Sequence, residues 1–135
     1  METSLERLVR ERAKTRCEYC QLPQAYSPLT HAIDHIIARK HHGPTESENL
    51  ALACFFCNSF KGPNIAGFDS ENDRIVRLFN PRTDRWNRHF AWDGPLLVGR
   101  TSVGRTTITV LAINDLEAVE FRQTLIREGS FPPLK

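Results

Sequence analysis

The sequence has no long apolar run, and this absence excludes several classes of protein. No segment approaches the roughly 20 consecutive apolar residues that a membrane-spanning helix requires. The first residues, Met1 to Ser4, run straight into an amphipathic pattern and lack the apolar centre of a secretory signal peptide. We therefore expect a cytoplasmic protein with no membrane partner.

The chain also has little excess charge of either sign. Its 18 Lys and Arg residues and 16 Asp and Glu residues give a formal net charge of +2. The whole molecule is not a polycation, so any nucleic-acid surface must come from the local arrangement of charge. Repeats and low-complexity tracts are absent. A length of 135 residues, of which 40% are hydrophobic, predicts a single domain over 1–135 with a modest core.

Cysteine is scarce, but its four copies form two Cys-x-x-Cys pairs, Cys17 with Cys20 and Cys54 with Cys57. In a reducing compartment such pairs indicate a metal before a disulfide. Zinc binds four ligands in a tetrahedron, and a gap of two residues lets both thiolates of a pair reach one ion. Redox chemistry at one pair is the alternative. Two pairs favour structural zinc, which contributes to folding and needs no role in chemistry.

The segment between the two pairs carries side chains suited to phosphodiester hydrolysis. Asp34 and His35 supply a carboxylate and an imidazole as neighbours. Imidazole is the natural general base near neutral pH, and carboxylate and amide oxygens are typical ligands of a hard divalent cation. On a regular strand the two side chains point to opposite faces. Either a bend, or a site with metal and water on two sides, must reconcile this.

Periodicity and turn residues predict a chain of short elements. A helix over 3–15, with a capping box between Thr3 and Glu6, comes first. Then come a strand over 31–37, an irregular connection, a helical turn over 47–52, and a helix from Cys54 to about Lys61 that ends at Gly62-Pro63.

The second half of the chain gives weaker signals. Residues 64–74 are loop-like, and 96–98 predict a strand. Residues 102–113 have strand propensity but are long enough for a helix. A helix is predicted over 115–128, with Asn114 as its cap.

The motifs between Cys17 and Gly62 resemble the HNH endonucleases in order and spacing. The series is Cys-x-x-Cys, Asp-His-Ile-Ile, His-Gly-Pro, Glu-Asn-Leu, Cys-x-x-Cys-Asn and Lys-Gly. The resemblance implies an α+β fold with a ββα-metal (His-Me finger) core at about 15–63 on a four-cysteine zinc site. Flanking helices and a small C-terminal α/β extension at about 75–130 would complete it, and the extension would make 102–113 helical.

The resemblance also implies a role for each polar residue of the core. His35 would be the general base, and Asn49 the central Asn that holds the loop and orients the base. Asp34 would be the metal-binding acid. Asn58 stands where most relatives have His, and its oxygen favours Mg²⁺ or Mn²⁺ at the catalytic position. Candidate contacts to the nucleic-acid backbone are Arg39, Lys40, His42 and Lys61.

These inferences predict a divalent-metal-dependent endonuclease that hydrolyses DNA phosphodiester bonds, by nicking or by double-strand cleavage. The alternative is a non-catalytic zinc-binding module for nucleic acid, which would need the cysteines but not Asp34, His35 or Asn58. Weak sequence preference is expected because no further specificity domain is recognisable. The chain is expected to act as a monomer or a homodimer.

Overall fold

A computed structural model describes residues 2–132 of the 135-residue chain. It is a mixed α and β structure, as expected. The helices are α1 (Ser4–Arg12), α2 (Phe55–Lys61), α3 (Trp86–His89), α4 (Ser102–Val110) and α5 (Leu116–Arg127). The strands are β1 (Ala32–His35), β2 (Leu50–Ala53), β3 (Ala66–Asp69), β4 (Arg74–Arg77), β5 (Phe90–Asp93) and β6 (Leu96–Gly99). Short 3₁₀ turns span Gln24–Tyr26, Arg39–His41 and Ser47–Asn49.

Helix α1 begins at the predicted capping box. The Thr3 hydroxyl accepts a hydrogen bond from the Glu6 backbone N–H at 3.1 Å, and the Glu6 carboxylate accepts one from the Thr3 N–H at 2.8 Å. The helix ends at Arg12, earlier than expected, because Lys14 and Thr15 both adopt positive φ angles near 55°. The Arg12 guanidinium then donates to the backbone carbonyl of Leu50 and ties α1 to β2.

Strands β1 and β2 form an antiparallel hairpin, and α2 follows β2 directly. The pairing places His35 opposite Leu50 and Asp34 opposite Ala51. Strand β2 is buried along its whole length, which explains its continuous apolar sequence. The predicted helical turn over 47–52 is therefore half right, since a 3₁₀ turn over Ser47–Asn49 gives way to β2. The result is a ββα unit whose last helix carries the second cysteine pair.

The predicted loop over 64–74 is wrong, because it contains most of a second hairpin, β3–β4. This hairpin packs on α4. A Cβ at Gly67 would stand 2.4 Å from Val110 Cγ2, so the glycine lets the two backbones approach. Short strands whose stability comes from such tertiary packing give little local signal.

Residues 102–110 are helical despite their threonines. The Thr101 hydroxyl caps the helix by accepting from the Gly104 N–H at 3.0 Å. Thr107 and Thr109 each donate their hydroxyl hydrogen to the carbonyl four residues earlier, at 2.7 and 3.1 Å. These bonds satisfy the hydroxyls of Thr107 and Thr109 within the helix.

Helix α5 spans Leu116–Arg127, but its predicted cap is wrong. Asp115 is the N-cap residue and makes no side-chain capping bond. The Asn114 amide instead pairs with both backbone groups of Leu97, accepting at 2.9 Å and donating at 2.8 Å. Asn114 therefore joins the start of α5 to β6.

One apolar core connects the cysteines with the second half of the chain. The cysteines pack in the same buried cluster as Phe79, Phe90 and Leu111. Two indole N–H groups also cross the junction, from Trp86 to the Tyr19 carbonyl and from Trp92 to the Gln21 side chain. Within residues 2–132, no helix is both long and apolar enough to cross a bilayer.

Candidate active site

The four cysteines form one buried cluster. Their sulfur atoms all lie within 4.8 Å of one another, and the sulfurs of Cys20 and Cys54 are 3.7 Å apart. Ligands about 2.3 Å from a tetrahedral zinc ion stand roughly 3.8 Å from each other. The cluster of Cys17, Cys20, Cys54 and Cys57 therefore fits a zinc ion.

Hydrogen bonds connect the thiols of this cluster and shift their pKa values. In each pair the backbone N–H of the second cysteine donates to the sulfur of the first, at 3.4 Å. Hydrogen bonds from Cys17 and Cys20 lower the pKa of the Cys54 thiol. Hydrogen bonding with Cys17 raises the pKa of Cys20 and of Cys57. Zinc binds thiolates, so metal uptake must release the protons that these thiols hold.

Asp34 is a buried carboxylate with two fixed partners. Its Oδ2 accepts a hydrogen bond from the Tyr19 hydroxyl at 2.7 Å. The Lys61 ammonium lies 3.2 Å from both carboxylate oxygens. Burial raises the pKa of Asp34, while Lys61 and Tyr19 oppose this rise. Because Tyr19 lies between Cys17 and Cys20 in sequence, the first cysteine pair holds the partner of Asp34 in place.

Lys61 lies inside the fold, which differs from the expectation of a surface contact to phosphate. It is only 1% exposed. Besides Asp34, its ammonium donates to the backbone carbonyls of His35 and Ile36, at 3.0 and 3.1 Å. A contact with nucleic acid would require these bonds to break. In this structure Lys61 neutralises the buried carboxylate and fixes the end of β1.

His35 lies on the opposite face of β1 from Asp34. The pairing of β1 with β2 is regular through both residues, so no bulge brings the two side chains to one side. His35 is half-buried, and its Nε2 is 2.9 Å from the Thr45 hydroxyl oxygen. The strand therefore presents a carboxylate to the interior and an imidazole toward solvent.

Asn49 holds the loop between β1 and β2. Its side-chain oxygen accepts from the Ile37 N–H at 2.9 Å, and its amide donates to the carbonyls of Ile37 and Pro44 at 3.0 and 2.9 Å. Gly43 passes so close that a Cβ there would stand 1.7 Å from the Ile37 carbonyl oxygen and 2.9 Å from Asn49 Nδ2. The His-Gly-Pro and Glu-Asn-Leu motifs therefore form one clamp, with Asn49 at its centre.

The remaining predicted residues flank this centre. Asn58 is half-buried on α2, and Lys61 follows it by three residues, so both side chains lie on the same face of the helix. Since Lys61 reaches Asp34, this face is directed at β1. Arg39, Lys40 and His42 are exposed around the 3₁₀ turn that follows β1.

Two residues with a clear place in the site are not apparent from the sequence. Tyr19 is one of two unassigned residues inside the first cysteine pair, and nothing local marks it as the partner of Asp34. Thr45 follows the Gly43-Pro44 turn, and nothing in the sequence distinguishes it from an ordinary loop residue. Both make contacts over 10 or more residues of sequence separation, at 15 and 10 residues respectively. Only the folded hairpin brings them to their partners.

Comparison with known proteins agrees with this geometry. Residues 17–64 match the HNH endonuclease family. This match confirms the resemblance inferred from the motifs, and it spans the cysteine cluster, the β1–β2 hairpin and α2. HNH domains are generally nucleases, so the match suggests nuclease activity for this region.

A curated relative extends the similarity beyond the HNH region. It is described as Septu protein PtuB from Bacillus thuringiensis and is 25% identical over 118 residues. The aligned part covers 86% of this chain but 43% of the relative, so the chain spans less than half of the relative's length. No solved structure matches the chain.

Proposed function

We propose that this protein is a divalent-metal-dependent endonuclease that hydrolyses phosphodiester bonds of DNA. The observation that carries the proposal is the half-exposed imidazole of His35, one residue beyond a buried carboxylate, in a hairpin that matches the HNH family. A zinc module that only bound nucleic acid would have no need of this pairing. The metal-binding module therefore stays the alternative that the experiment must exclude.

His35 is the proposed general base. Its imidazole is accessible from solvent, where a water molecule beside a bound phosphate would lie. The Asn49 side chain holds the loop that follows His35 in place through three hydrogen bonds, so the surroundings of the imidazole are fixed. In-line attack would leave a 5′ phosphate and a 3′ hydroxyl, as the HNH resemblance implies.

Asp34 and Asn58 are the proposed ligands of the catalytic ion. A carboxylate and an amide oxygen fit a hard cation such as Mg²⁺ or Mn²⁺. Asp34 already binds positive charge in the form of the Lys61 ammonium, so a metal ion must compete with Lys61 for the carboxylate. When bound, such an ion would supply the positive charge that stabilises the phosphate and the departing oxygen.

The partner of this site is proposed to be DNA, with little sequence preference. Arg39, Lys40 and His42 follow β1 and are exposed beside the hairpin, where they can contact phosphates. The buried zinc cluster has a structural role, since four thiolates leave no open position for substrate. We further propose a cytoplasmic location, and a monomer or homodimer as the active form.

The test is plasmid cleavage by the zinc-loaded protein with added Mg²⁺ or Mn²⁺. A general base contributes about 10² to 10⁴ in rate. We therefore expect His35→Ala to lose at least about a hundredfold in cleavage rate while keeping its zinc and its circular dichroism spectrum. The exposed neighbour His41→Ala is the matched control and should cut normally. Cleavage by His35→Ala at the wild-type rate, or DNA binding without any metal-dependent cutting by the wild type, would refute the proposal.

A further inference from the structure

We infer that Thr45 is a positioning residue for His35, whose hydroxyl accepts the Nε2 hydrogen and so reserves Nδ1 as the proton acceptor. The contact is direct, at 2.9 Å between Nε2 and Oγ1. Its catalytic meaning rests on the proposed function, but the hydrogen bond and the tautomer that it selects can be measured without any activity.

The first step of the argument concerns the two ring nitrogens. A neutral imidazole carries its hydrogen on one nitrogen and a free lone pair on the other. Within residues 2–132, the Nδ1 atom of His35 has no hydrogen-bond partner, whereas Nε2 faces Thr45. If Thr45 donated to Nε2, Nδ1 would hold the hydrogen and neither nitrogen could take a proton. The arrangement that leaves a usable base has Nε2 donating to Thr45.

The second step concerns how Thr45 is held. The Asn49 amide donates to the carbonyl of Pro44, the residue directly before Thr45, and the Gly43 N–H donates to the Ala38 carbonyl at 3.1 Å. The two residues directly before Thr45 are therefore held by hydrogen bonds of their backbone, although the Thr45 side chain itself is exposed. None of the hydrogen bonds of the Asn49 side chain is to His35. Asn49 therefore influences the position of the imidazole indirectly, by holding the loop that carries Thr45.

The third step separates this role from general loop stability. Thr45 is exposed and has no other side-chain hydrogen bond within the described part of the chain. Replacing its hydroxyl with a methyl group keeps the shape and the β-branching. A change in Thr45→Val that Thr45→Ser lacks must then come from the hydroxyl.

The experiment is ¹⁵N NMR of the histidine ring nitrogens in the zinc-loaded protein, at a pH where the imidazole is neutral. The signals of His35 are identified with His35→Ala. We expect the Nε2–H tautomer in the wild type and in Thr45→Ser. In Thr45→Val the ratio of Nδ1–H to Nε2–H should rise roughly fivefold, as the loss of one hydrogen bond predicts. Ser47→Ala, which removes another hydroxyl of the same loop, is the control and should leave the ratio unchanged.

Cleavage kinetics provide a second readout. We expect kcat to fall roughly fivefold or more in Thr45→Val with KM unchanged, and Thr45→Ser to restore it. A tautomer ratio in Thr45→Val equal to that of the wild type would overturn the inference, whatever the rate. Failure of the proposed function is a different result, because normal cleavage by His35→Ala would refute the base and leave the tautomer measurement intact.

Discussion

In residues 17–64 three buried polar side chains bond to each other and to the backbone of the strand that carries His35, whereas in residues 66–127 buried polar side chains tie secondary-structure elements to each other. Tyr19, Asp34 and Lys61 bond among themselves and to the backbone under His35. In the second region Asp69 of β3 accepts from Ser102 and Arg105 of α4. The Arg105 hydrogen bond, with help from Ser102, lowers the pKa of Asp69 to about 2.

The difference agrees with the proposal that the reacting groups lie in the first region and that the second region has a structural role. Buried polar groups of the second region such as Arg122, which donates to the carbonyls of Pro95 and Ile113 at 2.8 Å, have contacts that a structural role explains. The first region holds a buried carboxylate–ammonium pair, and such a pair adds little to stability compared with apolar packing. Lys61 also donates to the carbonyl of His35, so the pair fixes the strand that carries the imidazole. The second region supports the first through the shared core.

The largest expected effect tests whether the two regions are separable. Cys54→Ser removes one zinc ligand from a cluster that packs with Phe79 and Phe90 of the second region. Binding of structural zinc contributes about 10 kcal/mol or more in small domains, comparable with the whole stability of a typical protein. We expect the variant to lose zinc and to unfold throughout. Elemental analysis measures the metal, and the fluorescence of Trp86 and Trp92 reports the second region.

Cys17→Ser is the matched variant for this experiment and should behave alike, since it removes a ligand from the other pair. A zinc-free Cys54→Ser protein that stayed folded would contradict the structural role of the cluster. If only the fluorescence of the tryptophans stayed native, the regions would be independent folding units.

The cysteine cluster and the strand geometry of the first region were largely accessible from the sequence because they depend on short spacings. Two-residue gaps predict that paired cysteines share a metal, and the structure brings all four together. The sequence also indicated that Asp34 and His35 point to opposite faces of a strand, as they do. Local sequence patterns such as the capping box at Thr3 were predicted equally well.

What the sequence did not reveal depends on long-range contacts. Lys61 has the features of an exposed basic residue at the end of a helix, and only the packing of α2 against β1 buries it. The β3–β4 hairpin was missed for the same reason, because it depends on packing against α4, which lies far away in the sequence. Thr45 lies outside every recognisable motif because its partner is ten residues away.

A smaller effect is expected from replacing one glycine in each region with alanine. In the first region the added methyl group is crowded, and in the second region only the backbone conformation opposes it. Gly43→Ala places a methyl group 1.7 Å from the Ile37 carbonyl oxygen, so the loop must move away from Asn49. Overpacking of this kind costs about 1–3 kcal/mol. We expect cleavage to fall by at least the roughly fivefold loss expected for Thr45→Val, because the displaced loop carries Thr45 away from His35. Urea denaturation and plasmid cleavage measure the two consequences.

Gly94→Ala in the β5–β6 turn is the matched control for this change. Its φ is +58°, and an added Cβ meets nothing within 4 Å, so the cost is conformational and about 1 kcal/mol. Its cleavage rate should equal that of the wild type. Normal cutting by Gly43→Ala would show that the geometry of the loop is unimportant for the site.

The smallest expected effect concerns the link between the second region and the zinc cluster. Burial lowers the pKa of Arg122, while the sulfur atoms of Cys20 and Cys57 oppose this, so the guanidinium lies within electrostatic reach of the cluster. Arg122→Lys keeps the charge but loses the planar fork that bonds Pro95 and Ile113 together. We expect a loss of about 1–2 kcal/mol in the free energy of unfolding, from urea denaturation, with zinc content and cleavage unchanged.

Arg100→Lys is the control for Arg122→Lys, since Arg100 is exposed and, within the described residues, its side chain makes a single hydrogen bond, to the Asn87 carbonyl. Its stability should change by less than about 0.5 kcal/mol. A fall in the cleavage rate of folded Arg122→Lys would show that the second region acts on the chemistry as well as on packing. The division between a region that holds the reacting groups and a region that stabilises them would then have to be abandoned.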